Sequence, residues 1–199
     1  MKKKIIYIHG MGGNAAECEH YRPLFKGYEV VGLDYKSATP WETADEFPAL
    51  FDEHCGGDDD VILIANSIGA YFSMNSINNK NIRKAYFISP IVDMEALIAG
   101  MMERSGIPEE ELRSRGEIVT PAGEQLSWEY LCYVREHPLK WDIPTEVLYG
   151  SEDMLTSLKS MQAFAEKFNA VLTVMDGGEH WFHTPEQMAF LDRWIENSL

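Results

Sequence analysis

The residues able to do chemistry in this chain are one serine, two histidines and a few carboxylates, each near a glycine and each just after an apolar run. Ser67 lies in the stretch Val61-Ile62-Leu63-Ile64-Ala65-Asn66-Ser67-Ile68-Gly69-Ala70. A serine hydroxyl is a poor nucleophile at neutral pH and needs a base within hydrogen-bond reach. A histidine oriented by a buried carboxylate is the usual base. His180 follows Gly177-Gly178-Glu179, and Asp153 follows Gly150-Ser151-Glu152. Glu152 and Asp93 are rival acids, and His183 is the rival base. His183 precedes Thr184-Pro185-Glu186, a helix-start signal, so it reads as the residue that orients that entry. His9, in the loop His9-Gly10-Met11-Gly12-Gly13, reads as structural. A metal reading of His180 and His183 lacks a third ligand at any suitable spacing.

Positioning these groups needs strands that end in turns. Residues 61–64 are β-branched and apolar, as in a strand buried on both faces. A helix-compatible segment, 70–77, follows at once. Ser67 then occupies a tight strand-to-helix turn, small-x-Ser-x-Gly, in which small flanking residues let the two backbones approach. The simpler alternative is that Ser67 caps the helix. Other strands read at 4–8, 28–33, 85–89, 146–149 and 170–175, with helices at 15–25, 41–54 and 184–197. Strands alternating with helices imply a doubly wound, mostly parallel six-stranded sheet in the order 2-1-3-4-5-6. In that order the first and third strands are neighbours at the switch point, which sets the glycine loop beside Ser67. The interval 91–144 is too long for a crossover. It reads as a helical lid inserted in a single domain spanning 1–199, or else as a dimerisation subdomain. Its Met94, Met101 and Met102 are core, or line a pocket.

The order Ser67, Asp153, His180, each on a loop after a parallel strand, resembles the α/β-hydrolase superfamily, in particular its small serine esterases. The resemblance covers nearly the whole chain: His9-Gly10 after the first strand, the serine turn, the Gly-x-x-Asp turn and the Gly-x-His turn before a final helix. It implies Asp153 as the acid and an oxyanion hole made by the backbone N–H groups of Ile68 and Met11. It also implies hydrolysis of a small or medium carboxylic ester through an acyl-enzyme, with no metal or organic cofactor. Thioesters, amides and carbon–carbon bonds are cleaved on the same constellation. Two departures stand out: Ala65 replaces the usual first glycine of the turn, and the two early strands of larger members are absent.

The chain of 199 residues is 45% hydrophobic, enough for a sizeable core, and carries a formal net charge of −15. That balance argues against nucleic acid or an anionic membrane as partner. A small-molecule ester-like substrate is the expected partner. Three scattered cysteines suit free thiols. The lysine-rich start precedes an apolar run too short for a secretion signal, so a cytoplasmic location is expected. Gly10-Met11-Gly12-Gly13-Asn14-Ala15 also fits a dinucleotide fingerprint, with Asp34 as its ribose-binding acid. That rival leaves Ser67, Asp153 and His180 without a role. A catalytically silent hydrolase fold used for binding is a third reading. Trp128, Tyr130 and Tyr133 in the insertion, with Trp41, Trp141 and Trp181, predict an apolar substrate pocket for groups without strong charge, with Trp128 and Trp181 as substrate contacts.

Overall fold

A computed structural model describes residues 2–199. Its main sheet consists of β1 (Lys3–Ile8), β2 (Glu29–Gly32), β3 (Asp60–Asn66), β4 (Lys84–Ile88), β7 (Thr145–Gly150) and β8 (Val171–Met175). Two short strands, β5 (Glu117–Val119) and β6 (Gln125–Ser127), form a separate antiparallel hairpin. The main sheet runs β2-β1-β3-β4-β7-β8 with every pair parallel. The hairpin strands, which the sequence reading had not separated as strands, shift the numbering of the last two.

The central strands are apolar because both faces are covered. Ile5, Tyr7, Ile62, Ile64, Tyr86, Ile88 and Leu148 share a core with Leu191, Trp194 and Ile195 of α7 (Pro185–Ser198). Phe47 and Phe51 of α1 (Pro40–His54) and Phe72 of α2 (Ile68–Ser76) are also buried, and α1 packs along α2. Helix boundaries follow their caps. Thr39 and Thr184 each cap a helix that opens with proline, and each forms a reciprocal capping box with a Glu or Gln in the first turn. The polar stretch expected as a helix over 15–25 is a 3-10 helix, Ala15–Tyr21, started by a capping box between Asn14 and Glu17. Helix α6 (Leu158–Phe168), for which the sequence pattern predicts no bounds, buries only Met161 and Phe164 and ends on left-handed Asn169.

The described chain divides into two compact units, one running to Val92 and resuming at Lys140–Leu199, the other Asp93–Leu139. The second contains α3 (Met94–Ser105), α4 (Glu109–Arg115), the hairpin and α5 (Trp128–Glu136). Within it Met94, Ile98 and Met102, four apart on α3, are buried together with Leu112, Ile118, Leu126 and Leu131. Arg135 ties α5 to α3 and α4 through Glu95 and Glu109, at 2.7 Å each. Among the described residues no helix is long and apolar enough to cross a membrane.

One glycine sets how closely strand and helix approach at the serine turn. A Cβ on Gly69 would lie 2.5 Å from the carbonyl oxygen of His9 and 2.9 Å from that of Ile8, both backbone atoms of the neighbouring strand end. Gly69→Ala is therefore expected to destabilise the protein by about 3 kcal/mol. In a chain of this size that corresponds to a loss of roughly 10 °C in unfolding temperature. A calorimetric scan showing an unchanged transition would refute the close-approach argument.

Candidate active site

Four loops meet at the carboxyl edge of the sheet in the first unit. The serine turn follows β3, and the glycine loop follows β1, its hydrogen-bonded neighbour. The loops after β7 and β8 are joined to each other. Glu152 N donates to Gly178 O at 2.8 Å and Ser151 N to Met175 O at 2.9 Å. Gly150 allows this junction, since a Cβ there would sit 2.3 Å from Gly178 O.

Ser67 has φ 52° and ψ −122°, a left-handed conformation that a non-glycine residue holds only under strain. The turn is pinned from several sides. Ser67 N donates to Ile88 O at 3.0 Å, while Ser67 O accepts from Ala70 N and Ile91 N at 3.1 Å each. The hydroxyl makes no capping bond to α2, which removes the simpler reading of Ser67 as a cap. It lies instead 2.8 Å from Nε2 of His180.

On the far side of the ring, His180 Nδ1 is 2.7 Å from Oδ2 of Asp153, whose side chain is 0% exposed. Oδ1 of Asp153 accepts from Leu155 N at 2.7 Å and Thr156 N at 3.0 Å, and Oδ2 also accepts from the Thr156 hydroxyl at 3.0 Å. Burial by itself would push this carboxyl up. The hydrogen bond and charge of His180, with the two backbone N–H donors, outweigh burial and hold it below the usual carboxylate range. An ionised carboxylate only accepts, so the proton sits on Nδ1 of His180. Nε2 then presents its lone pair to the Ser67 hydroxyl, which is the tautomer a general base requires.

His9 is not part of this chain of bonds. Its ring stacks on Tyr35 at 4.3 Å, Nδ1–H donates to Gly10 O at 2.8 Å, and its own carbonyl accepts from the Tyr35 hydroxyl at 2.8 Å. His183 donates from its backbone N–H to Gln187 Oε1 at 3.1 Å and from Nδ1 to Trp181 O at 2.7 Å, at the entry to α7. Ile68 is the first residue of α2, so its N–H has no acceptor within the helix. Met11, in the glycine loop, lines the same cavity as Ser67 and His180.

A cavity of about 310 Å³ opens above Ser67 and His180, bounded by the Gly10–Gly13 loop, Asn66, Trp181 and Glu17. A larger cavity, about 670 Å³, opens at the amino edge of the sheet beside Arg83, Lys84 and Lys167, and none of its lining residues is a serine or histidine. The smaller one is therefore the candidate site, since it holds the Ser67–His180 pair. Of the aromatics expected at the pocket, Trp181 lines it and is 69% exposed. Trp141 does not. It is buried before β7 at the other edge, its ring 5.4 Å from Phe87 and its Nε1–H donating to Thr145 Oγ1 at 2.7 Å. Trp128 belongs to the second unit, while the cavity lining comes wholly from the first.

Glu17 was missed in the sequence, although Asn14-x-x-Glu17 directly after a glycine loop is a capping-box signal. Its Oε1 accepts from Asn14 N at 3.1 Å and its Oε2 from the Tyr7 hydroxyl at 2.6 Å. Burial, with Tyr21 and Glu17 beside it, pushes the Tyr7 hydroxyl well up, so Tyr7 stays a donor.

Solved structures share this arrangement of strands and helices over almost the full chain. Alpha/beta hydrolase domain-containing protein 10 from mouse superposes with a TM-score of 0.75 at 17% identity, covering 98% of this chain and 88% of that one. Est1E from Butyrivibrio proteoclasticus gives 0.72 at 18% identity, covering 99% and 86%. The chain has the α/β-hydrolase fold.

No family model matches the chain. A Mycoplasma genitalium protein whose name calls it an esterase/lipase is 24% identical over 103 residues, which is 45% of this chain and 37% of that protein. The aligned stretch thus spans little more than a third of that curated relative. In an α/β-hydrolase fold the loops after the strands carry whatever chemistry the domain performs, so function has to be argued from those loops.

Proposed function

We propose that the protein is a serine hydrolase that cleaves a small or medium carboxylic ester through an acyl-enzyme. The observation that carries this reading is the unbroken hydrogen-bonded chain from Ser67 through His180 to buried Asp153, with the serine held in a strained turn beside an open cavity. Ser67 Oγ attacks the ester carbonyl while His180 Nε2 takes its proton. Asp153 holds the ring in the required tautomer and stabilises the imidazolium that forms. The oxyanion of the tetrahedral intermediate is received by the N–H groups of Ile68 and Met11, each contributing about 3 kcal/mol. His180 then protonates the departing alcohol. The same residue activates a water that releases the acid and restores Ser67. A cavity of about 310 Å³ suits a small or medium substrate.

The dinucleotide alternative fits this geometry poorly. Asp34 is exposed and paired with Lys36 at 2.7 Å. The position where a pyrophosphate would meet backbone N–H groups already holds the Glu17 carboxylate, bonded to Asn14 N. An anion would be repelled there.

A fluorophosphonate probe tests the proposal. The expected result is covalent labelling of the native protein at Ser67 and no labelling of Ser67→Ala. A folded native chain that resists the probe would refute the serine nucleophile.

A further inference from the structure

The cavity that holds Ser67 and His180 is also lined by a carboxylate, Glu17, that the hydrolytic steps do not use. Glu17 accepts at Oε1 from Asn14 N and at Oε2 from the Tyr7 hydroxyl. The carboxylate lies flat against Gly13, where a Cβ would come within 2.8 Å of Oε1 and 3.0 Å of Oε2. Each carboxylate oxygen accepts one of these bonds and keeps acceptor capacity for another, and Glu17 is exposed. Among the described residues, no lysine or arginine lines the cavity. Trp181 lines the same cavity with an exposed indole that stacks one face on the His183 ring at 4.5 Å. A carboxylate and an indole bordering one cavity attract the same charge, because the ring face, like the anion, is negative.

We propose that Glu17 and Trp181 make this cavity selective for esters that carry a cationic ammonium group. This substrate class rests on the ester-hydrolase reading, whereas the cation site itself rests only on the two side chains. It replaces the uncharged substrate expected from the aromatic content, since that content did not reveal Glu17. Anionic esters of the same size are disfavoured by the same charge.

The test separates binding from turnover. Ser67→Ala protein is titrated calorimetrically with two matched pairs. One is a choline ester against its tert-butyl carbon isostere, with the charge on the alcohol. The other is a trimethylammonioacetyl ester against its tert-butyl isostere, with the charge on the acyl group. At least one cationic member is expected to bind about tenfold more tightly than its isostere at low salt. The pair with the larger ratio assigns the cation to the alcohol or the acyl side. Adding Glu17→Gln, which keeps a carbonyl oxygen for Asn14 N and turns its NH2 toward the Tyr7 hydroxyl oxygen, is expected to bring that ratio close to unity. Raising sodium chloride to about 0.5 M in the Glu17-containing protein is expected to shrink it as well, a check independent of the variant's stability. Equal affinity within both pairs, or a ratio untouched by Glu17→Gln and by salt, overturns the cation site. Native protein that shows the binding ratio but neither hydrolyses a member of either pair nor takes the fluorophosphonate label overturns the hydrolase reading and leaves the cation site standing.

Discussion

Ester turnover is expected to fall about a million-fold in Ser67→Ala, to the residual rate supported by binding and the oxyanion donors alone. The loss is large because, in the proposed mechanism, the hydroxyl alone forms the covalent intermediate. His180 cannot substitute from 2.8 Å behind it. The fold should survive, since the Ser67 side chain makes no capping bond and the turn is pinned by backbone groups of Ile88, Ala70 and Ile91. Ser67→Gly makes a sharper companion. Glycine accepts φ 52° without strain, so this variant should be equally inactive yet more stable, by about 1 kcal/mol. Pre-steady-state kinetics and urea unfolding of both variants check the pair. An active Ser67→Ala would remove the nucleophile from the mechanism.

Asp153→Asn is expected to lower kcat about ten-thousand-fold, almost as damaging although no substrate atom touches this residue. The reason lies in how the carboxylate is held. Oδ1 accepts from Leu155 N and Thr156 N, so an asparagine would keep its carbonyl oxygen there and turn its NH2 toward His180. A donor facing Nδ1 forces the imidazole proton onto Nε2, where it blocks uptake of the Ser67 proton. KM should change little, and titration of His180 by NMR would report the inverted tautomer.

The same substitution predicts a pH dependence of stability. The Asp153 carboxyl titrates lower in the folded chain than its unfolded value of about 3.9. Its stabilisation is therefore complete above about pH 5 and is lost as the pH falls through the lower folded value. The stability difference between native protein and Asp153→Asn should narrow over that acid range. A difference constant from neutral to acid pH would show that Asp153 is not the ionised, hydrogen-bonded carboxylate described.

Much of the fold was legible because its signals are local. Runs such as Val61–Ala65 are apolar on both faces of the strand, which only a covered parallel sheet requires. The turns that end them are marked by glycines whose Cβ would collide with backbone, as at Gly69 and Gly150. From these, the strand order and the four loops at one edge follow without coordinates. Less legible were elements whose burial is thin. Helix α6 hides only Met161 and Phe164 and so leaves a faint pattern, and the β5–β6 hairpin is three residues a side.

The amino-acid order alone determined which residue types end up on loops at one sheet edge, because chain direction and strand alternation dictate that. Only the tertiary structure decided which of them touch. Ser67 and His180 are 113 positions apart, and His180 and Asp153 are 27 apart. Bonds of 2.8 and 2.7 Å between them depend on strand register and on the joined β7 and β8 loops. Glu17 shows the same limit most plainly. Its spacing to Asn14 announces a helix start, but its place in the cavity is set by the buried Tyr7 hydroxyl, a neighbour brought by β1 packing. A hydrogen bond is decided within tenths of an ångström, a precision that sequence periodicity does not carry.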